Sequence, residues 1–136
     1  MPSVVSCLLM NEDGEILILK RSDKVKTYKD CWSAITGYVE ENEEPINTAY
    51  KEIREEVGLE KKDIFLLKEG KPIVFTDFYN EECFEWIVHP FLFKTLNKGK
   101  IQIDWEHTNY SWIKPEEIVK FRTVPRLKNV VLGLFK

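Results

Sequence analysis

Between Pro45 and Gly58 the hydrophobic pattern changes period. Ile46, Ala49, Tyr50, Ile53 and Val57 recur at the spacing that lines one face of an α-helix, with a proline suited to the first turn and a glycine suited to the stop. The runs on either side are short and dense in β-branched and aromatic residues, which is strand chemistry. One amphipathic helix set into a series of strands needs a sheet to receive its apolar face, which confines the chain to α/β architectures.

Val4 to Met10 and Glu15 to Lys20 read as a hairpin joined by Asn11-Glu12-Asp13-Gly14. Residues Arg21 to Asp30 are polar and lysine-rich, predicting a mobile connection beside a pocket, before Trp32 to Thr36 resumes strand character and Gly37 breaks it. After the helix, Ile64 to Lys68, Ile73 to Phe78 and Phe84 to Lys94 read as strands, divided by Gly70-Lys71-Pro72 and Asn80-Glu81-Glu82. Asn97-Lys98-Gly99 is a turn and Tyr110 to Ile113 a last strand. Pro115-Glu116-Glu117 opens a helix bearing Ile118, Val119 and Phe121, and a final helix is expected around Leu127 to Phe135. No repeat or low-complexity tract divides the 136 residues, so a single domain over 1–136 is expected.

Several function classes are set aside on composition. A net charge of -3 argues against duplex nucleic acid as the main partner. No apolar run approaches the roughly 20 residues of a membrane span, and the start lacks a basic leader, so a cytoplasmic location is expected. Cys7, Cys31 and Cys83 form no C-x-x-C pair and read as buried or idle thiols.

The helix carries the chemistry. At about 100° per residue, Glu52, Glu55 and Glu56 fall within roughly a 100° arc bordering the apolar stripe. Like charges three and four apart cost roughly 0.2–0.5 kcal/mol per pair on an open surface, and more where water is restricted. A hard cation such as Mg²⁺ or Mn²⁺ would offset that cost and would also bind phosphate oxygens. Alone, three clustered glutamates read more readily as the solvated face of a helix in a Glu-rich protein.

Spacing beyond the helix separates the two readings. Gly37, five residues, Glu43, seven residues and Lys51-Glu52-Ile53-Arg54-Glu55-Glu56-Val57-Gly58-Leu59 resemble the signature box of the Nudix family in all but Lys51, which stands where the family has Arg. The resemblance implies a Nudix-type α/β/α sandwich around a mixed sheet. It also implies that Glu52, Glu55 and Glu56, with the Gly37 carbonyl, hold divalent cations around a diphosphate, Glu43 being structural. Lys51 replaces a planar bidentate fork by a flexible point charge. Asn42 stands where many members have Gly, and asparagine is well able to take the left-handed turn.

Downstream, Glu106-His107-Thr108-Asn109-Tyr110-Ser111-Trp112 resembles the segment in which the family often places a further metal-site glutamate. Glu106 is the candidate, as ligand or general base, with Glu52 the other candidate base. His107 reads as a capping or packing residue. Lys20 and Arg21, with Lys24, Lys26 and Lys29, are candidates for meeting the polyphosphate, Arg21 foremost. Trp32, Phe75, Phe78, Tyr79 and Trp86 offer an aromatic platform for a base, with Phe78 and Tyr79, beside a turn, the expected contacts. The resemblance implies a pyrophosphohydrolase of nucleoside or pterin triphosphates, releasing monophosphate and pyrophosphate. Dinucleoside polyphosphates and ADP-ribose are rival substrates, a non-catalytic nucleotide-binding regulator is a rival class, and relatives are commonly homodimers.

Overall fold

The computed structural model describes residues 2–135 apart from the Tyr79 side chain. Eight strands form one mixed sheet: β1 (Ser3–Met10), β2 (Ile16–Arg21), β3 (Trp32–Ser33), β4 (Ile35–Tyr38), β5 (Ile64–Glu69), β6 (Ile73–Tyr79), β7 (Glu82–Thr95) and β8 (His107–Ile113). Helix α1 (Pro45–Val57) lies between β4 and β5, and α2 (Leu127–Leu134) follows β8.

Strand β7 organises the sheet. Along one edge it runs parallel to β1, from Ser3 opposite Ile87 to Met10 opposite Lys94. Its other edge takes β5 and then β6, both antiparallel, with Gly70-Lys71-Pro72 between them. The far edge of β1 is shared by β4, over Val4 to Cys7, and by β2, at Met10 opposite Ile16. Strand β2 in turn pairs with β8 and β3.

Alternation along the strands divides the core in two. Val5, Cys7 and Leu9 of β1, Leu17 and Leu19 of β2 and Phe91 and Phe93 of β7 pack on the side of α1, against Ala49, Ile53 and Val57. Leu8, Ile16, Ile18, Val88 and Leu92, on the intervening positions, pack on the other side against Leu127, Val130, Val131 and Leu134 of α2. Covering both faces explains why these strands are apolar almost throughout rather than alternating. Each fully buried Leu, Ile or Phe contributes about 1.5–3 kcal/mol. Gly58 ends α1 in the left-handed region (φ 75°), its N–H donating to the Arg54 carbonyl at 3.0 Å.

Three expectations are corrected. Gly37 does not break a strand but lies inside β4, opposite Val5; the interruption falls at Ala34. The Pro115 segment is a 3-10 helix over Pro115–Lys120, with Ile118 buried but Val119 70% exposed, because too few apolar residues face the core to hold a longer helix. The loop after β2 is not a free connection. Arg21 Nε donates to the Thr27 carbonyl at 3.1 Å, Val25 is buried, and Ser22 ties the loop to the chain before β8 through its N–H on Glu106 O (2.8 Å) and its Oγ on Trp105 O (3.1 Å).

Candidate active site

Helix α1 crosses the sheet so that its glutamates meet β4. An added Cβ on Gly37 would lie 2.3 Å from Glu52 Cδ and 2.6 Å from Glu52 Oε1, so the Glu52 carboxylate rests on a backbone that only glycine leaves open. One turn on, Glu56 is 1% exposed, and its Oε2 has no hydrogen-bond partner among the described residues. Its Oε1 lies 3.8 Å from His107 Nε2, while His107 Nδ1 is 3.1 Å from Asp104 Oδ1.

These acids are costly to ionise where they stand. Burial, then the charge of Glu106, pushes the Glu56 carboxyl well up from the ordinary range. Burial also raises Glu52, opposed in part by its contact with Glu56 and reinforced by Glu55 and Glu106. Glu106 is raised by burial and then by Asp104, against the pull of Arg21. His107 gives no relief: burial lowers it, more than Asp104 raises it, so it stands neutral beside Glu56. An ionised carboxylate without a partner costs several kcal/mol to bury. The surroundings therefore fit a divalent cation, which would supply the missing partner of Glu56 and relieve the repulsion among Glu52, Glu56 and Glu106.

Convergence is narrower than the sequence predicts. Glu52 and Glu56 come together, whereas Glu55 is exposed at the rim, near enough for its charge to act on Glu52 and Glu106. Among the described residues, no three His, Cys, Asp or Glu side chains enclose an ion as they stand. Lys51 binds back to Glu43, at 3.2 Å from Oε2, and Thr48 Oγ1 donates to Glu43 Oε1 at 2.6 Å, so Glu43 braces the start of the helix. Asn42 has φ 68°, the left-handed turn that its side chain tolerates.

A cleft of about 680 Å³ has Gly37, Glu52 and Glu106 in its lining. Arg21, Lys24, Lys26 and Lys51 line it; Lys20, held within β2 opposite Asn109, and Lys29 do not. Its apolar walls are Tyr38, Phe75, Trp86 and Trp105. Phe78 is absent from the lining and 71% exposed, which corrects the expected base contact. The reason is strand alternation: Phe75 and Asp77 share one face of β6, and Phe78 projects from the other. The other expected contact, the Tyr79 side chain, lies outside the described residues. Counting that alternation back from the Asn80-Glu81 turn would have found Phe75 and Asp77 in the sequence. Trp105 carries no such signal, because the loop that brings it in has no period, and Tyr38, at the end of β4, joins the wall through its contact with Trp86.

The family model of the NUDIX domain matches residues 1–134. The chain belongs to the NUDIX family. It is a Nudix hydrolase, and its mixed sheet between helices is the Nudix sandwich. A nucleoside triphosphatase NudI of Escherichia coli is 27% identical over 124 residues, which covers 86% of this chain and 85% of the relative. Among solved structures, the dihydroneopterin triphosphate pyrophosphohydrolase of E. coli superposes with a TM-score of 0.80 at 19% identity, over 98% of this chain and 96% of that one. An Ap4A hydrolase of C. elegans, solved as a binary complex, gives 0.78 at 18% identity, over 99% and 96%. No helix among the described residues is long and apolar enough to cross a membrane.

Proposed function

We propose that this Nudix hydrolase is a divalent-cation-dependent pyrophosphohydrolase that cleaves a nucleoside triphosphate, with water, to the monophosphate and pyrophosphate. The observation that carries this reading is the orphaned Oε2 of buried Glu56 beside a Glu52 carboxylate lying on Gly37, in the lining of a basic and aromatic cleft. The 27% identical relative named as a nucleoside triphosphatase supports the same class of substrate.

Glu52, Glu56, Glu106 and the Gly37 carbonyl would hold Mg²⁺ or Mn²⁺, with Glu55 adding charge from the rim. When bound, the cation would neutralise phosphoryl charge and activate water for in-line attack. The chain's own residues do the rest. Arg21, braced on Thr27, presents further guanidinium N–H groups to phosphate oxygens, and Lys24 and Lys26 add positive charge along the same wall. Glu106, in the lining of the cleft beside Glu52, is the first candidate to take the proton of the attacking water, Glu52 being the other. The walls of Tyr38, Phe75, Trp86 and Trp105 receive the base by stacking. Three cysteines without disulfide partners accord with a cytoplasmic setting.

Product analysis across triphosphates, dinucleoside polyphosphates and ADP-ribose, with Mg²⁺ and Mn²⁺ compared, tests the reading. Monophosphate and pyrophosphate from a triphosphate, abolished by chelator, is the expected result. Turnover confined to dinucleoside polyphosphates or ADP-ribose, or none with any substrate, would overturn it.

A further inference from the structure

The cleft holds an acidic group that the reaction does not use. Asp77 lines it from β6, two residues along the same face from Phe75, hence roughly 7 Å away. Phe75 pairs across the ladder with Trp86, and Trp86 touches the Tyr38 ring at a centroid distance of 5.7 Å. Tyr38 directly follows Gly37, on which Glu52 rests. All of these residues line the one cleft, which sets the Asp77 carboxylate beside its aromatic walls.

That carboxylate is oriented rather than free. Its Oδ1 accepts the Phe78 N–H at 2.9 Å, and its Oδ2 accepts the Tyr28 hydroxyl from the loop after β2. An ionised carboxylate has about four lone-pair positions, so two known donors leave roughly one open on each oxygen. Two oriented acceptor oxygens beside a stacking surface suit two adjacent N–H donors on the ring that enters.

Among nucleobases that demand discriminates. Guanine offers a ring N–H next to an exocyclic amine on one edge, and a pterin offers the same pair. Adenine and cytosine place their amine beside a ring nitrogen that accepts, and uracil flanks its N–H with two carbonyls; each would set a lone pair against a carboxylate oxygen. We infer that Asp77, held by Tyr28, is the specificity-determining residue of this cleft and selects triphosphates bearing a 2-amino-4-oxo ring, of guanine or pterin type. The assignment rests on the proposed triphosphate reading, and it names which triphosphate.

Two measurements keep the two readings apart. Calorimetry with Mg²⁺ and the α,β-methylene triphosphates of guanosine, adenosine, cytidine and uridine reads base choice without cleavage. Turnover of GTP and of a dihydroneopterin-type triphosphate reads which of the two ring sources leads. The wild type should bind the guanosine analogue about tenfold to a hundredfold more tightly than the other three, or turn over the pterin triphosphate with the same advantage over ATP, CTP and UTP. Asp77→Asn replaces one acceptor by a donor and should remove that advantage, moving preference toward adenine or cytosine. Tyr28→Phe, which leaves Asp77 in place but unbraced, should narrow the advantage without reversing it. An unchanged melting temperature in both variants would show that the fold is intact. A flat profile, a profile led by another base, or one that Asp77→Asn leaves unmoved overturns the assignment. A wild type that binds the guanosine analogue selectively yet cleaves no triphosphate rejects the hydrolytic reading and leaves base selection standing.

Discussion

Replacing Gly37 by alanine should separate catalysis from stability. The new Cβ would lie 2.3 Å from Glu52 Cδ, and ordinary contact begins at 3.4 Å, so the carboxylate must retreat by about 1.1 Å. The atoms in the way are the far end of a flexible side chain, and Gly37 has no positive φ to defend, so the backbone can stay. Alanine also narrows the unfolded ensemble, worth about 0.4–1 kcal/mol toward stability. A displacement near 1 Å in a reacting site costs about a hundredfold in rate. Gly37→Ala should therefore lose roughly two orders of magnitude in kcat/KM and bind Mg²⁺ more weakly, while its melting temperature stays within about 4 °C of wild type. The assays are pyrophosphate release at saturating Mg²⁺ and a thermal melt of the same preparation. Near-normal kcat/KM in a folded variant would refute the claim that Glu52 works from its seat on Gly37.

Further outcomes follow from the same geometry. Glu52, Glu56 and Glu106 all have raised native pKa values, so the stability they contribute is whole below the ordinary glutamate range and is lost as pH rises through their native values. Without metal, the wild type should lose more melting temperature between pH 5.5 and pH 8 than Glu56→Gln does, a comparison in which the opposing contributions of His107 and His89 cancel, and Mg²⁺ should close most of that difference. Glu56→Gln should raise the metal-free melting temperature at pH 8 and cut turnover by at least about a hundredfold, more than the loss of an outer partner would; retained turnover would remove Glu56 from the site. Lys51→Arg should stay within about threefold of wild-type kcat/KM, since an arginine can hold the same Glu43 oxygens. Phe93→Ala, which empties a fully buried position against the Tyr50 ring, should cost about 3–5 kcal/mol in denaturant unfolding.

The parts of the molecule legible in its sequence are those governed by a period. The α1 stripe, its proline start and its glycine stop stand where Ile46 to Gly58 put them, and β5, β6 and β7 match their apolar runs to within two residues. The three thiols are unpaired, Cys7 and Cys31 buried and Cys83 exposed. What escaped depended on contacts between segments distant in the chain. Gly37 looks like a strand breaker until Glu52 is seen lying on it. The loop from Arg21 to Asp30 looks solvated because its lysines dominate, whereas Ser22, Val25 and Tyr28 determine its conformation through partners more than 45 residues away or buried in the fold. Phe78 stands nearer the turn, yet the side of the strand decides which ring enters the cleft, and that side carries Phe75.

Strand β7 passes from one environment to another along its length: Glu82 to Glu85 are exposed, Trp86 and Ile87 are half-buried, and Phe91 to Phe93 are buried between the two helical layers. Its first half, with β6, overhangs the double-sided packing like a cantilever clamped at one end. Mutations out on the overhang can remodel what the enzyme grips while the clamped end, and the acids beside it, go undisturbed.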